Sequence, residues 1–429
     1  MGGEVKNMRA LVVAVCAMVM VAGCGRAIAM GPALVRGDYR LYVAASTQNA
    51  QLVAVIDSHS HSTERRLPLG TPSPDWAHFY SVSSNVLVDL DPQTGATLRT
   101  LGLPGYFRLP SATIGGLPGG LSQNGRWLVL EGLHAPGGAP ATTSRLLLVD
   151  TSYARTPVPV VLAGSFQFDA ISNDGQRMYL VEYLSNTDYE VRVFNVPGGY
   201  LESYVVVDKS DITATMTGLR LSGVASPDGQ WLFSVYARQN KGAFIHALNL
   251  SQPYAFCIDL PGTGYSSSSD ALQWSLALSA DGSDLFAANG TMHVVAEITN
   301  DPNGVPALAR TTHIDFSGPS ASVFGQGAQA KDFGANASVL SNDGRTLVLS
   351  GSQGIVWIDT DTLHAHARAL NKWVVWSLGL SPDGSTVYAL NDAGGIAEVR
   401  MADARVAAVF DPAAGQPMAL IRVEAVPVP

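Results

Sequence analysis

Two short histidine pairs are the most metal-like features of this chain. They are His59-Ser60-His61 and His364-Ala365-His366. Alternate residues of a strand share a face, so each pair could present two imidazoles together. Neither pair has a cysteine or carboxylate at a zinc spacing. They also fall at the outer rim of different repeat units, so they read as surface pairs and no metal is expected. Asp89 with Asp91, and Asp359 with Asp361, offer oxygen ligands of the kind calcium takes. The rest of a calcium loop is missing, so they read as turn caps. The chain contains no Cys-x-x-Cys-His, no Gly-x-Ser-x-Gly, no His-Glu-x-x-His and no phosphate loop. Covalent haem attachment and the hydrolase nucleophile elbow are therefore not expected.

The three cysteines divide into two groups. Cys257 stands alone in Tyr254-Ala255-Phe256-Cys257-Ile258 and reads as a small buried hydrophobe. Cys16 and Cys24 lie in or just after an apolar run, residues 10–22, that follows Lys6 and Arg9. The run is short for a membrane span of ~20 residues and fits a secretory signal. Its end, Val21-Ala22-Gly23-Cys24, resembles the bacterial lipobox. The expectation is a signal peptide over 1–23, lipidation at Cys24 and a tether over 24–35. The remaining residues, 36–429, would form one domain held at a membrane on the extracytoplasmic side, periplasmic or at the cell surface. Acyl chains contribute ~0.8 kcal/mol per buried CH₂, so two or three of them would anchor it stably.

The elements that must position any site announce themselves through a recurring turn. It reads Ser73-Pro74-Asp75-Trp76, Ser122-Gln123-Asn124-Gly125, Ser172-Asn173-Asp174-Gly175 and Ser226-Pro227-Asp228-Gly229. It returns as Ser279-Ala280-Asp281-Gly282, Ser341-Asn342-Asp343-Gly344 and Ser381-Pro382-Asp383-Gly384. Each residue suits a type I turn, and apolar runs flank it, which is a hairpin signal. Recurrence every ~50 residues marks an internal repeat. Each unit supplies a strand, the turn and three further strands, the composition of a propeller blade. No stretch sustains a 3.6-residue apolar period, so a helical solenoid is excluded. Seven turns are visible, but three strands precede the first and one, around residues 418–426, follows the last complete set. If that last strand completes the first blade as its innermost member, the ring has eight blades and no free edge. Seven is the alternative, should one unit be a decorated loop.

Several units carry Val55-Ile56-Asp57-Ser58, Val88-Asp89-Leu90-Asp91, Leu148-Val149-Asp150-Thr151 or Trp357-Ile358-Asp359-Thr360. With Leu41-Tyr42-Val43 and the Ser-Pro-Asp-Gly turns, these resemble the YVTN-type and related WD-like bacterial β-propeller repeats over nearly the whole of 36–429. The resemblance implies the fold and is nearly silent on function, because related propellers include surface-layer proteins, assembly factors, lactonases and quinone-dependent dehydrogenases. The quinone enzymes repeat Asp-x-x-x-Gly motifs ending in Trp. Only Asp91 to Gly95 resembles one here, without the Trp, so no cofactor is expected.

Blade geometry then restricts where a site can lie. Turns joining strands one to two and three to four open on one face and are short throughout. Connections from strand two to three, and from blade to blade, open on the other face. The long ones are there, over 102–116, 131–143, 210–219, 261–273 and 317–336. Residues on that face suited to gripping a ligand are Tyr106, Arg108, His134, Tyr183, Arg238, Tyr265, Lys331, Asp332 and Phe333. Charged residues make up only 14% of the chain and the net charge is -9. No lysine or arginine cluster exceeds Arg65-Arg66, so a nucleic-acid partner is not expected. The function anticipated is a non-catalytic binding or assembly scaffold for an envelope protein, peptide or glycan. The alternative is a lactonase-like hydrolase using histidine, arginine and carboxylates at the channel mouth.

Overall fold

The computed structural model describes residues 34–133, 142–185, 188–212, 216–301, 304–314, 338–351 and 353–427. They form eight antiparallel sheets of four strands, with a short fifth strand added to one. Among the described residues the sole helical element is a one-turn 3-10 segment, Ser269–Leu272. The sheets stand as blades around a central channel, a β-propeller.

The chain ends meet in blade 1. Its strands Leu34–Ser46, Gln51–Asp57 and Ser62–Pro68 are completed by Gln416–Pro427 on the inner side. Leu41 pairs with Val423 and Val43 with Leu420. This is the closing strand anticipated over 418–426, and it settles the count at eight. The other inner strands are Thr71–Pro72, Phe107–Arg108, Phe166–Ile171, Leu219–Ala225, Ser275–Leu278, Ser338–Leu340 and Val375–Leu380. They open blades 2 to 8 in order.

The marker turns follow each inner strand from blade 2 onward, and their chemistry explains their composition. In the turn opening at Ser122, the Gly125 N–H donates to the Ser122 carbonyl at 2.8 Å. The serine hydroxyl donates to Asn124 and accepts from the Trp127 N–H at 3.0 Å. Aspartate takes the asparagine role in most repeats, and hydrogen bonds from Ser279 and Ser283 pull the Asp281 carboxyl down to about 2. The fourth residue must adopt a positive φ, which glycine does freely. Trp76, the exception, sits at φ 57°. Neighbouring turns also bond to each other, for example Asn124 N–H to Asn173 at 2.9 Å. They lace the short-turn face together.

Apolar residues from adjoining blades interlock between the sheets. Leu41, Val43, Ile56, Leu390 and Leu420 pack at the seam of blades 8 and 1. Each fully buried side chain of this size contributes about 1.5–3 kcal/mol. These seams, with the hydrogen bonds between blades, hold the ring together.

One connection departs from expectation. The span 102–116 is not one outer loop. Leu103 to Tyr106 crosses from blade 2, Phe107–Arg108 then enters the inner position of blade 3, and the chain leaves again until Gly120. So in blade 3 the link from first to second strand is long, not short. Pro104, Pro110 and Pro118 withhold the ladder donors an uninterrupted strand needs. The return at Gly120 is so close that a Cβ there would lie 2.6 Å from the Val129 carbonyl oxygen.

Candidate functional site at the channel mouth

The excursion in blade 3 is a small hairpin folded into the channel. The Ala112 N–H donates to the Leu117 carbonyl at 2.7 Å and the Gly119 N–H to the Pro110 carbonyl at 2.8 Å. At its tip the Ile114 N–H donates to the Leu221 carbonyl at 2.8 Å. Leu221 belongs to the inner strand of blade 5, so the hairpin reaches past blade 4. Beneath it, on the long-loop side, is a cavity of about 280 Å³ enclosed by the hairpin and by blades 3, 4 and 5.

Polar groups in its wall come in pairs. Arg108 donates to Glu131 at 3.1 Å, and Glu131 also accepts the Phe168 N–H at 3.0 Å, tying blade 3 to blade 4. Arg220 lies 3.3 Å from Asp169, whose carboxylate is fully buried. The Tyr183 hydroxyl donates to the Gln167 side-chain oxygen at 3.1 Å. Tyr236 completes the wall from the second strand of blade 5. Its hydroxyl is buried and makes no hydrogen bond, and the same holds for Arg220 Nε and both Asp169 oxygens. Such groups are uncommon in folded proteins and call for a partner.

The polar character continues outward along the seam between blades 4 and 5. Tyr189 stacks on Tyr236 with ring centroids 5.3 Å apart, their hydroxyls adjacent but short of hydrogen-bond geometry. Ser234 and His246 follow, both fully buried, each with a polar atom unpaired. Burial drives the His246 imidazole down to about 4, against the pull of Asp169 and Asp208. Burial likewise raises Tyr183, and raises Tyr189 and Tyr236 well above the usual phenol value. These hydroxyls stay protonated at neutral pH. They can donate hydrogen bonds and cannot serve as bases.

Of the residues expected to form a site, Arg108 and Tyr183 line this cavity. Tyr106 stands exposed beside it, where its carbonyl accepts the Leu133 N–H at 3.1 Å. Arg238 and Tyr265 do not reach it. Arg238 clasps its own loop, donating to the Gly242 carbonyl at 2.6 Å and to Asp259 at 2.8 Å. Tyr265 packs on the apolar seam of blades 5 and 6, its N–H bonded to the Arg238 carbonyl. Cys24, His134, Lys331, Asp332 and Phe333 lie outside the described residues. The candidates left out Glu131, although it opens the expected loop 131–143, and also Gln167, Arg220 and Tyr236; all four sit in strands. Their signal was polarity at positions where the strand pattern calls for apolar residues.

The histidine pairs stay apart. His61 stacks on Phe410 and lies 3.6 Å from Glu398, while His364 begins the outer strand of blade 7, His364–Ala369. Among the described residues no group of three or more His, Cys, Asp or Glu side chains could hold a metal ion. None of their helices is long and apolar enough to cross a membrane.

Fold and site together define an eight-bladed propeller with a roofed, charge-paired cavity at its mouth. No family model matches the chain, and no curated protein matches it. Solved structures do. Dihydro-heme d1 dehydrogenase NirN, solved in complex with DHE, is similar at a TM-score of 0.52 and 15% identity, over 91% of this chain and 77% of that one. The periplasmic gluconolactonase PpgL of Pseudomonas aeruginosa gives 0.47 and 19%, over 91% and 100%. The β-propeller domain of Cps50 (Swd1) from Myceliophteria thermophila gives 0.42 and 11%, over 75% and 91%. At these identities the likeness concerns the fold alone.

Proposed function

We propose that this chain is a lipid-anchored, extracytoplasmic propeller of YVTN-like repeats that binds a partner at the cell envelope without a covalent step. The carrying observation is the cavity at the mouth of blades 3 to 5. Its walls offer hydrogen-bond donors from Arg108, Arg220, Tyr183 and Tyr236. The carboxylate that lines it, Glu131, is already held by Arg108 and the Phe168 N–H. Exposed Tyr106, Leu133, Leu184, Ile212 and Leu219 lie in the connections or strand ends of the same face. A polar pocket with an apolar surround suits recognition. The anchor rests on Val21-Ala22-Gly23-Cys24 and the tether after it.

Crosslinked pull-down from membranes with the intact lipoprotein tests the reading. Capture that drops in Arg108→Ala and Tyr183→Ala, both folded, supports it. Capture indifferent to both substitutions removes the cavity from the function. Mass spectrometry of the mature N-terminus tests the anchor, and an unmodified Cys24 ends that part of the proposal.

A second reading is favoured by one observation: Arg220 and Tyr236 in the cavity wall are backed by Asp169 and His246, a cluster of titratable groups such as catalytic sites hold. Turnover of a lactone panel, abolished by Asp169→Asn, would establish a hydrolase in place of a binder.

A further inference from the structure

The cavity's charge balance narrows its ligand, an inference that rests on the binding reading above. We infer that the mouth of blades 3 to 5 binds one uncharged pyranose ring, either a free sugar or the terminal residue of a glycan.

Each cation in the site already has its own carboxylate, Arg108 with Glu131 at 3.1 Å and Arg220 with Asp169 at 3.3 Å. An entering anion would meet Glu131 in the wall, with the Asp169 charge just behind it. An entering cation would meet the two guanidinium groups. Either would have to compete with an existing pair; Arg108 is about half exposed, but the Arg220–Asp169 pair is mostly buried, and removing one partner of such a pair is strongly unfavourable. A neutral ligand disturbs neither.

The unspent hydrogen-bonding capacity is of both kinds. Tyr236 is nearly fully buried, lines the cavity and has no partner for its hydroxyl. Arg220 Nε is a second donor without a hydrogen bond, while the Asp169 carboxylate, paired with Arg220 at 3.3 Å, lies buried just behind the wall. Gln167 adds an amide with one group of each sense. Vicinal hydroxyls, each donor and acceptor at once, match such a mixed set. Carboxylates, which only accept, and ammonium groups, which only donate, do not. The Phe168 and Tyr183 rings supply apolar wall for the carbon skeleton of a pyranose. At about 280 Å³ the space lies just below the usual range of small-molecule pockets, ~300–1,000 Å³, so it admits one ring and not a folded peptide.

Isothermal titration calorimetry of the full chain tests this directly. The probes are the methyl glycosides of glucose, galactose and mannose, with glucuronate and glucosamine as charged counterparts. We expect at least one neutral glycoside to bind at millimolar concentration or below, and its charged counterparts to bind about tenfold more weakly or worse. Tyr183→Phe and Gln167→Ala, at unchanged melting temperature, should each weaken the neutral ligand about fivefold or more. An oligosaccharide ending in the same ring separates the two sources: tighter binding assigns a glycan end, equal binding a free sugar. The inference is overturned if charged sugars bind as well as neutral ones, or if both substitutions leave affinity intact. It is also overturned if no neutral glycoside binds. In that last case membrane capture that still depends on Arg108 and Tyr183 leaves the binding reading standing. Capture that is indifferent to both removes it as well.

Discussion

Blade 5 has two faces built from the same four strands, and they differ in kind. Toward blade 6 it presents Leu221, Phe233, Val235, Ile245, Ala247 and Ile258, which pack with Trp274 and Leu285 in a wholly apolar seam. Toward blade 4 Leu232, Phe244 and Leu248 pack with Tyr179, Val191 and Val193, but Arg220, Ser234, Tyr236, His246 and Cys257 stand among them. Ser234 pairs with His246, which pairs with Cys257, so the polar row crosses three strands in register. Alternation in a strand makes this possible, because one residue's step moves a side chain from one seam to the other. Both seams face another blade, yet among the described residues only the blade 4 seam carries buried side-chain groups without partners. Stability forgone at a defined place marks where a protein has been shaped for something besides folding.

The largest expected difference lies in the apolar seam. Phe233→Ala should cost about 3–5 kcal/mol, since it removes a buried ring from close packing. On the opposite seam Tyr236→Phe keeps the ring and deletes a hydroxyl that bonds to nothing. It should leave stability unchanged or raise it by up to about 1 kcal/mol. Urea unfolding of the two variants checks the contrast. Equal losses in both would mean that the seams do not differ in the way the packing indicates.

The polar seam should also respond to acid where the apolar seam does not. His246 is held neutral by burial down to about 4, against an ordinary 6.5. As pH falls below 6.5, the unfolded chain takes up a proton that the native state refuses. Stability from this residue is therefore complete above 6.5 and is lost between 6.5 and about 4, amounting to about 3 kcal/mol. His246→Leu should flatten that limb. Melting temperatures of both proteins at pH about 7 and about 4.5 measure it, and parallel losses would contradict the assignment.

Asp169→Asn should come next. The replacement preserves shape but leaves the Arg220 guanidinium unpaired in a mostly buried position. A loss of about 2–3 kcal/mol is expected, below the range for a fully buried pair because Arg220 is partly exposed. Replacing both residues by apolar ones should recover part of it, which a double-mutant cycle would read.

How far these seams were legible in advance follows from the physics of each. The blades were open to reading because Ser-x-Asp-Gly chemistry is local: the serine, the carboxylate and the glycine act within six residues of one another. The closing strand could be reached by counting, since an unpaired edge must find a partner. The face on which the blade 3–5 cavity opens followed from strand direction. The cavity did not, because its walls are assembled by distance in space. Arg108 and Tyr183 were reached by asking which residues open on the long-loop face. Arg238 and Tyr265, chosen on the same grounds, turn back onto their own blade. Arg220 and Tyr236 were passed over because they lie inside strands. The hairpin that roofs the cavity was hidden as well, since nothing in 109–119 says that its tip will reach Leu221. What could have been noticed is Ser234 within Trp231-Leu232-Phe233-Ser234-Val235-Tyr236-Ala237, and His246 within Phe244-Ile245-His246-Ala247-Leu248. Each is a polar residue where both faces of the strand are buried.

Ser234 supplies the smallest and cleanest test of the comparison. Its hydroxyl is fully buried and has no hydrogen-bond partner. If the seam is dry, that hydroxyl is a desolvated group with nothing gained, and Ser234→Ala should be neutral or stabilising by up to about 1 kcal/mol. If waters fill the polar row, the hydroxyl is bonded to one of them, and the same substitution should cost about 1 kcal/mol. Val235→Ala, one residue along and facing blade 6, is the control. It should cost about 1–2 kcal/mol whatever the hydration of the other seam, because only packing is lost. The sign at position 234, read against the fixed sign at 235, therefore decides whether the blade 4–5 seam is an empty polar surface or a hydrated extension of the cavity. Urea midpoints at constant slope suffice to read it.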